Sequence, residues 1–355
     1  MSQILQVGLI GFGMAGQMFH APFITNVPGF NLKTIRATNA GNIALARERY
    51  PQAEIVPDVQ AIFNDPEIDL VVVASPNTSH YQLSREALLA GKHVLVDKPF
   101  TPTSAEADEL IQLAKTQNKL ITVYHNRRWD GDALTVKKII QSKMLGNLVE
   151  YEVHFDRFRN FIKPGTWKEE DTEASGILYD LGAHLIDGAQ VLFGLPEEIT
   201  ADLRTQRTGG KIIDNFEVIL HYPGLKVTLK SGMLVKEPTP HYLLLGDHGS
   251  FIKYGLDVQE EALKAGLHPG NTPNWGVEPE ANWGRINTEY NGLHIMGKVA
   301  SQVGDYRGLY QNVYGAILGQ EELDVTPEQA RNTIRIIELA MQSHTEKRTV
   351  PYMDR

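Results

Sequence analysis

The sequence predicts an α/β domain built on a parallel sheet, followed by an α+β domain with a large, mostly antiparallel open sheet. Three observations carry this. Short apolar runs alternate with helix-like stretches up to about residue 127, and such alternation marks βαβ units. After Trp129 a single helical stretch gives way to consecutive strand-like runs. Finally, Gly11, Gly13 and Gly16 stand between the first apolar run and the first helical stretch.

In the first part, strands are expected at 5–10, 31–36, 69–74, 93–97 and 120–125, with helices at 14–26, 41–50, 79–90 and 103–117. The run Asp69-Leu70-Val71-Val72-Val73-Ala74 has no polar face, as a central strand covered by helices on both sides requires. The second part opens with a helix at 132–144 and continues with strands at 148–158, 199–207, 216–222, 226–234 and 242–245. Pro223-Gly224 reads as the turn of a hairpin. The segment 264–285, rich in Gly, Pro and Asn, reads as a long loop packed by Trp275 and Trp283, which either cover a cleft or fill a core. Thr326, Pro327 and Gln329 form a helix start, and Ile334, Ile337 and Met341 extend one apolar stripe over a C-terminal helix at about 327–344. Domains are therefore expected at 1–127 and 128–355.

Composition narrows the function classes. With 355 residues, 22% charged and 42% hydrophobic, the chain has ordinary globular composition. A formal net charge of -9 gives no support to nucleic-acid binding. The absence of cysteine excludes disulfides, thiolate metal sites and cysteine nucleophiles. It also fits a cytoplasmic protein. The N-terminal run from Met1 carries no signal-peptide pattern, and no apolar stretch approaches the roughly 20 residues of a membrane helix, so a soluble protein is expected.

Gly11-Phe12-Gly13-Met14-Ala15-Gly16 follows a strand and opens a helix. In that setting the first glycine allows a tight turn, the second lets backbone approach a pyrophosphate, and the third permits close helix–strand packing. An acid that binds the adenosine ribose usually ends the second strand. Here Arg36 and Thr38 stand there without an acid. They suit the 2′-phosphate of NADP, with NAD and a surface arginine stacking on adenine as the alternative. Ser75, Pro76 and Asn77 line the nicotinamide-ribose side, Thr78 or Ser79 caps the next helix, and His80 reads as a supporting residue of the same site.

Asp97-Lys98-Pro99 closes the apolar run 93–96. Ligands sit at the carboxyl ends of strands in an open α/β sheet, so this lysine has a ligand to hold or a group to protonate. Asp180 and His184 are four apart and share a face if helical. A carboxylate beside an imidazole builds a general base near neutral pH; an ordinary helix pair and a metal-ligand pair are the alternatives. Asn126 or His125, at the end of the last parallel strand, faces the cofactor. Arg127 and Arg128 either bind substrate or pair across the domains, and Asp156 alternates with His154 on one face of its strand.

On the glycine fingerprint, the Asp97-Lys98-Pro99 tripeptide and the Asp180/His184 spacing, the chain resembles the Gfo/Idh/MocA family of nicotinamide-dependent oxidoreductases over essentially its full length. Asp97 stands where many members have Glu. The wording of 124–130, 178–182 and 251–255 is similar to that of NADP-dependent scyllo-inositol dehydrogenases. The resemblance implies a Rossmann domain, a second domain with a large open sheet, and dimers or tetramers built through that sheet. It makes Lys98, Asp180 and His184 the catalytic set. Asp156, from its place on the strand, is a further candidate at the substrate, and a hydride passed directly between carbons needs no metal. It implies hydride transfer between NADP and a secondary alcohol of a polyol or sugar, most simply an inositol. The same fold hosts NAD-dependent glycosidases and non-catalytic NAD(P)-sensing regulators, which are the rival readings.

Overall fold

A computed structural model of the chain describes residues 3–163 and 169–353; Met1 and Ser2 of the N-terminal run lie outside the described residues. The first sheet contains β1 (Leu5–Ile10), β2 (Phe30–Arg36), β3 (Glu54–Val56), β4 (Leu70–Val73), β5 (His93–Val96) and β6 (Ile121–Val123). Its order is β3-β2-β1-β4-β5-β6, and every neighbouring pair is parallel. This is the doubly wound Rossmann order, which reverses direction between β1 and β4 and opens a crevice at their carboxyl ends. β4 is buried along its whole length, as its unbroken apolar run requires.

The sequence missed β3 and the short helix Gln60–Phe63. Three residues, only one of them buried, are too few to show a period of two. The helix expected at 14–26 is present without a gap from Met14 to Ile24, with a π-helical turn at Gly16–His20 ahead of the α-helical turn Ala21–Ile24. The helix Ser104–Thr116 begins with a capping box in which Thr103 and Glu106 satisfy each other's backbone N–H groups.

The second sheet contains β7 (Leu148–His154), β8 (Glu198–Arg204), β9 (Asn215–Tyr222), β10 (Leu225–Gly232), β11 (Tyr242–Gly246), β12 (Gly249–Lys253), β13 (Gly284–Tyr290), β14 (Leu293–Val299) and β15 (Val350–Pro351). Its order is β14-β13-β12-β11-β7-β10-β9-β8-β15. Its named pairings are antiparallel, with one exception: β10 runs parallel to β7. Gly224, at φ +72°, makes the tight turn between β9 and β10.

β12, β13 and β14 add to the expected strands. β13 does alternate in burial, but the inward positions are Gly284, Ile286 and Thr288, so its apolar signal is weak. β14 has no buried residue and therefore no apolar face for a sequence pattern to show. The segment read as a loop at 264–285 includes the last residue of the helix Gln259–Lys264, the short helical turn Glu280–Asn282 and the start of β13. Trp275 fills a core: it is 6% exposed, packs edge-on to Phe23 and donates to Gln259 Oε1 at 2.9 Å.

The chain divides into two compact units. One holds the residues up to Asn126 with Gln259–Trp275 and Asp305–Arg331; the other holds Arg127–Val258, Gly276–Gly304 and the chain from Asn332 onward. The first unit thus draws on three separate stretches of the chain. The C-terminal helix runs Pro327–Glu346. At its start, Thr326 Oγ1 accepts from Gln329 N at 3.2 Å and Gln329 Oε1 from Thr326 N at 3.3 Å. Among the described residues, no helix is long and apolar enough to cross a membrane.

Candidate active site

The glycine turn at the end of β1 is held by its own backbone. Gly11 sits at φ +100°, and a Cβ there would lie 2.3 Å from Ala74 O. A Cβ at Gly16 would lie 2.1 Å from Gly11 O. Gly13 differs, because nothing lies within 4 Å of the place its Cβ would occupy. Gly11 and Gly16 are thus demanded by the fold, whereas the bare backbone at Gly13 leaves room for a ligand. That is the shape a pyrophosphate needs above a helix start, so these residues fit a dinucleotide. Phe12 is 2% exposed with its ring edge-on to Tyr50, which leaves its backbone, not its side chain, at the turn. Met14 is exposed and Ala15 half-buried.

At the end of β2, Arg36 is half-buried and its Nε donates to Pro57 O at 3.1 Å, while Thr38 is exposed. Asn39 caps the helix Ala40–Arg49, its Oδ1 accepting from Gly41 N at 2.9 Å and Asn42 N at 3.2 Å. No carboxylate occupies this strand end, where an NAD ribose would find its acceptor.

After β4, Ser79, one of the two expected caps, stands at the N-cap of the following helix, but its side chain makes no capping hydrogen bond. Its hydroxyl instead lies 2.7 Å from Ser75 Oγ and 2.8 Å from Pro76 O, drawing Ser75, Pro76 and Asn77 into a tight turn. His80 is 1% exposed, with Nδ1 2.8 Å from Pro99 O and Nε2 3.0 Å from Ser75 O. The imidazole therefore ties the loop after β4 to the loop after β5 and turns neither nitrogen outward. Burial pushes its pKa down, against the opposing pull of Asp97 and the two carbonyls.

β5 ends one residue before Asp97, whose N–H donates to Val73 O at 2.8 Å. Asp97 Oδ1 accepts from Lys98 N at 2.8 Å, and Oδ2 faces His20 Nε2 at 3.7 Å. The Asp97 side chain is thus directed to the protein. Burial raises its pKa, but the facing His20 imidazole, with Lys98 and His80 nearby, outweighs that and holds the carboxyl below its ordinary value. Lys98 is half-buried, Pro99 is buried and Asn126 is 5% exposed.

In the second unit, Asp180 and His184 span a junction. Leu178–Gly182 is a π-helical turn, and the α-helix Ala183–Phe193 follows directly. Asp180, His184 and Gly188 are half-buried, whereas 181–183 and 185–187 are all buried. Asp180 and His184 are thus accessible positions in a stretch whose other residues up to 187 are buried. π-turns inside helices are frequent at functional sites, and nothing in the sequence marked this one.

Phe155, 1% exposed, stacks against His184 at 6.5 Å between centroids and 27° between planes. The Arg127 guanidinium lies 4.7 Å and that of Arg157 5.4 Å from the Phe155 centroid. Arg128 makes a two-point ion pair with Asp187, Nε to Oδ2 at 2.9 Å and Nη2 to Oδ1 at 2.6 Å, and Arg127 pairs with Asp130 at 3.1 Å. Both pairs lie within the second unit. The carboxylate of Asp156 accepts from Gly232 N at 2.9 Å and Thr239 Oγ1 at 2.7 Å, and lies 2.8 Å from His154 Nδ1. It anchors the end of β7 to β10 and to Thr239 through these contacts.

Sequence reasoning also passed over His20, Tyr310 and Phe155. The signal for His20 was present: a histidine four residues after Gly16, on the first helix, in an otherwise apolar stretch.

A Rossmann sheet with a glycine turn open at Gly13, joined to a second unit carrying an accessible Asp/His pair, defines a dinucleotide-dependent oxidoreductase. Comparison with known proteins agrees. Residues 5–125 match the family model described as "Oxidoreductase family, NAD-binding Rossmann fold", and 137–352 match "Oxidoreductase family, C-terminal alpha/beta domain". The chain belongs to the Gfo/Idh/MocA oxidoreductase family. It is 37% identical to scyllo-inositol 2-dehydrogenase (NADP(+)) IolW of Bacillus subtilis, covering 98% of this chain and 95% of that one. It is 39% identical to the uncharacterized oxidoreductase YdgJ of Escherichia coli, covering 99% of each. The solved structure of yvaA from Bacillus subtilis superposes with a TM-score of 0.95 at 36% identity over 99% of both chains. The protein is an NAD(P)-dependent oxidoreductase acting on a small-molecule substrate.

Proposed function

We propose that the protein transfers a hydride between NADP and a secondary alcohol of a polyol or sugar, with an inositol such as scyllo-inositol and its inosose as the substrate pair. The observation that carries this reading is which polar groups remain accessible. Lys98 is half-buried at the end of β5, and Asp180 and His184 are half-buried on a helix whose neighbouring residues are closed off. The name of the Bacillus subtilis relative supports the polyol and the NADP choice, and Arg36 in place of an acid after β2 supports the latter.

The nicotinamide, when bound, supplies or accepts the hydride. His184 takes the proton of the substrate hydroxyl as general base, and Asp180, on the same line of the helix, orients the imidazole and stabilises its charged form. Lys98 donates to the same substrate oxygen and stabilises alkoxide charge as it develops. The main chain of Gly11, Phe12, Gly13, Met14, Ala15 and Gly16 holds the pyrophosphate. Ser75, Pro76, Asn77, Pro99 and Asn126 shape the nicotinamide side, with Asp97 and His80 behind them. Cytoplasmic placement and assembly as a homodimer or homotetramer through the C-terminal sheet belong to the same proposal.

The test is absorbance at the reduced-nicotinamide band, with NADP or NAD and a panel of inositol isomers, aldoses and ketoses. Stoichiometric cofactor turnover with an inositol, and a higher kcat/KM for NADP, is expected. Absence of net turnover with every polyol and sugar, as a transient-redox glycosidase or a sensor would give, overturns the reading.

A further inference from the structure

We propose that His20 is a positioning residue for the reaction: it holds the Asp97 carboxylate, and through it the Lys98 segment, while Tyr310 fixes which of its ring nitrogens carries the proton. The inference rests on the reading of Lys98 as donor to the substrate oxygen. It adds a histidine and a tyrosine to which no role has been given above.

His20 is the last residue of the π-helical turn that follows the glycine fingerprint, and none of its surface is exposed. Its ring packs 4.4 Å from that of Tyr124. Nδ1 lies 2.8 Å from the Tyr310 hydroxyl. Nε2 is buried with no hydrogen bond among the described residues, and it points at Asp97 Oδ2 from 3.7 Å. Two arrangements of the proton are open to a neutral ring. With the proton on Nδ1, the Nε2 lone pair would face a carboxylate, acceptor against acceptor. With the proton on Nε2, the ring points an N–H at Asp97, and the Tyr310 hydroxyl donates into Nδ1. The second arrangement satisfies both contacts.

Apolar packing alone does not account for this site. A buried N–H without a partner is costly, and a leucine or phenylalanine would fill the space without it. Less than about 1 Å of movement by Asp97 would bring Oδ2 into hydrogen-bond range of Nε2. The carboxylate already accepts from Lys98 N through its other oxygen. Asp97 therefore sits between His20 on the cofactor-turn helix and the backbone of Lys98, and what moves one bears on the other. The charged or titratable groups acting on Asp97 are His20, Lys98 and His80, and the Tyr310 phenol feels the Asp97 charge in turn.

The two amide substitutions separate positioning from packing. The amide nitrogen of a glutamine can take the place of Nε2, and that of an asparagine the place of Nδ1. His20→Asn is expected to lower kcat by about tenfold or more, leaving KM for the polyol and NADPH affinity within about twofold. Its kcat profile loses activity at a higher pH on the acid side, because Asp97 has lost its donor. His20→Gln is expected to recover most of kcat and the wild-type profile. The 13C titration of the Asp97 carboxyl in the protein without cofactor gives a readout independent of turnover, with a midpoint raised in His20→Asn and restored in His20→Gln. Equal losses in both variants, or one Asp97 midpoint in all three proteins, overturn the proposal. Should neither variant fold, 15N shifts of His20 in the wild-type protein decide: a proton on Nε2 supports the proposal and one on Nδ1 overturns it. A Lys98→Ala protein with normal turnover would refute the lysine reading alone, since the Asp97 titration still reports the His20 contact.

Discussion

Gly13→Ala and Gly16→Ala, three residues apart in one turn, are expected to fail in opposite ways. At Gly13 the added Cβ meets nothing within 4 Å and the backbone φ is ordinary. The fold should tolerate it, and alanine's smaller unfolded-state entropy adds about 0.4–1 kcal/mol of stability where the conformation is compatible. The methyl does occupy the space a pyrophosphate approaches. Displacing phosphate oxygens from even one charge-assisted hydrogen bond costs about 1.5–3 kcal/mol, which is roughly a 10- to 150-fold loss of NADPH affinity. At Gly16 the Cβ would stand 2.1 Å from Gly11 O, a backbone atom, so the helix must move off the strand at a cost on the order of 1–3 kcal/mol. Thermal unfolding of the cofactor-free proteins and fluorescence titration with NADPH measure the two effects separately. A Gly13→Ala protein that binds NADPH as tightly as wild type would refute the reasoning, as would a Gly16→Ala protein of undiminished stability.

Two further predictions concern charge. Burial and the nearby Asp257 charge push the Asp132 carboxyl up to about 7. The native state then keeps a proton that the unfolded chain has released, so this group lowers stability as pH rises from about 4 to about 7. His241, 3.5 Å away, is pushed down by burial to about 3, and its contribution to stability rises with pH over the range up to its ordinary value near 6.5. Asp132→Asn leaves only the second effect, and the variant should gain steadily on wild type as pH rises from about 4 to about 7. Urea midpoints across that range read it, and a constant difference between the two proteins would contradict the assignment. Arg36→Ala should lower kcat/KM for NADP by about tenfold or more, the worth of a charge-assisted contact to phosphate, while leaving NAD use nearly unchanged; an equal loss with both cofactors would remove Arg36 from the phosphate site.

How much of this was legible in the chain depended on periodicity. β4 and the other apolar strands of the first sheet, and the helix-start residue Thr326, carry strong local signals, and the structure has them where the pattern puts them. β3 and β14 do not: one is too short to show a period and the other has no buried face. At the site, the glycine turn could be read from its spacing: the fold leaves no room for a Cβ at Gly11 or Gly16, and Gly13 stays open. Asp180 and His184 stand out by their spacing, and both positions are accessible. What the sequence could not show was contact. Asp156 reads as a candidate at the substrate, and its spacing gives no sign of the contacts it makes with Gly232 and Thr239. Ser79 reads as a helix cap but lies against Ser75 and Pro76. His20 and Tyr310 meet across 290 residues of sequence, and no local pattern reports such a pairing.

The proposed reaction is net hydride transfer between a polyol carbon and the nicotinamide. It is tested most directly with scyllo-inositol deuterated at its ring carbons, NADP and the purified protein, followed by mass spectrometry of the cofactor. One deuterium in each NADPH formed is expected, with the transfer abolished in His184→Ala and Lys98→Ala proteins that still bind NADPH. Deuterium lost to solvent, or no labelled cofactor at all, would contradict it.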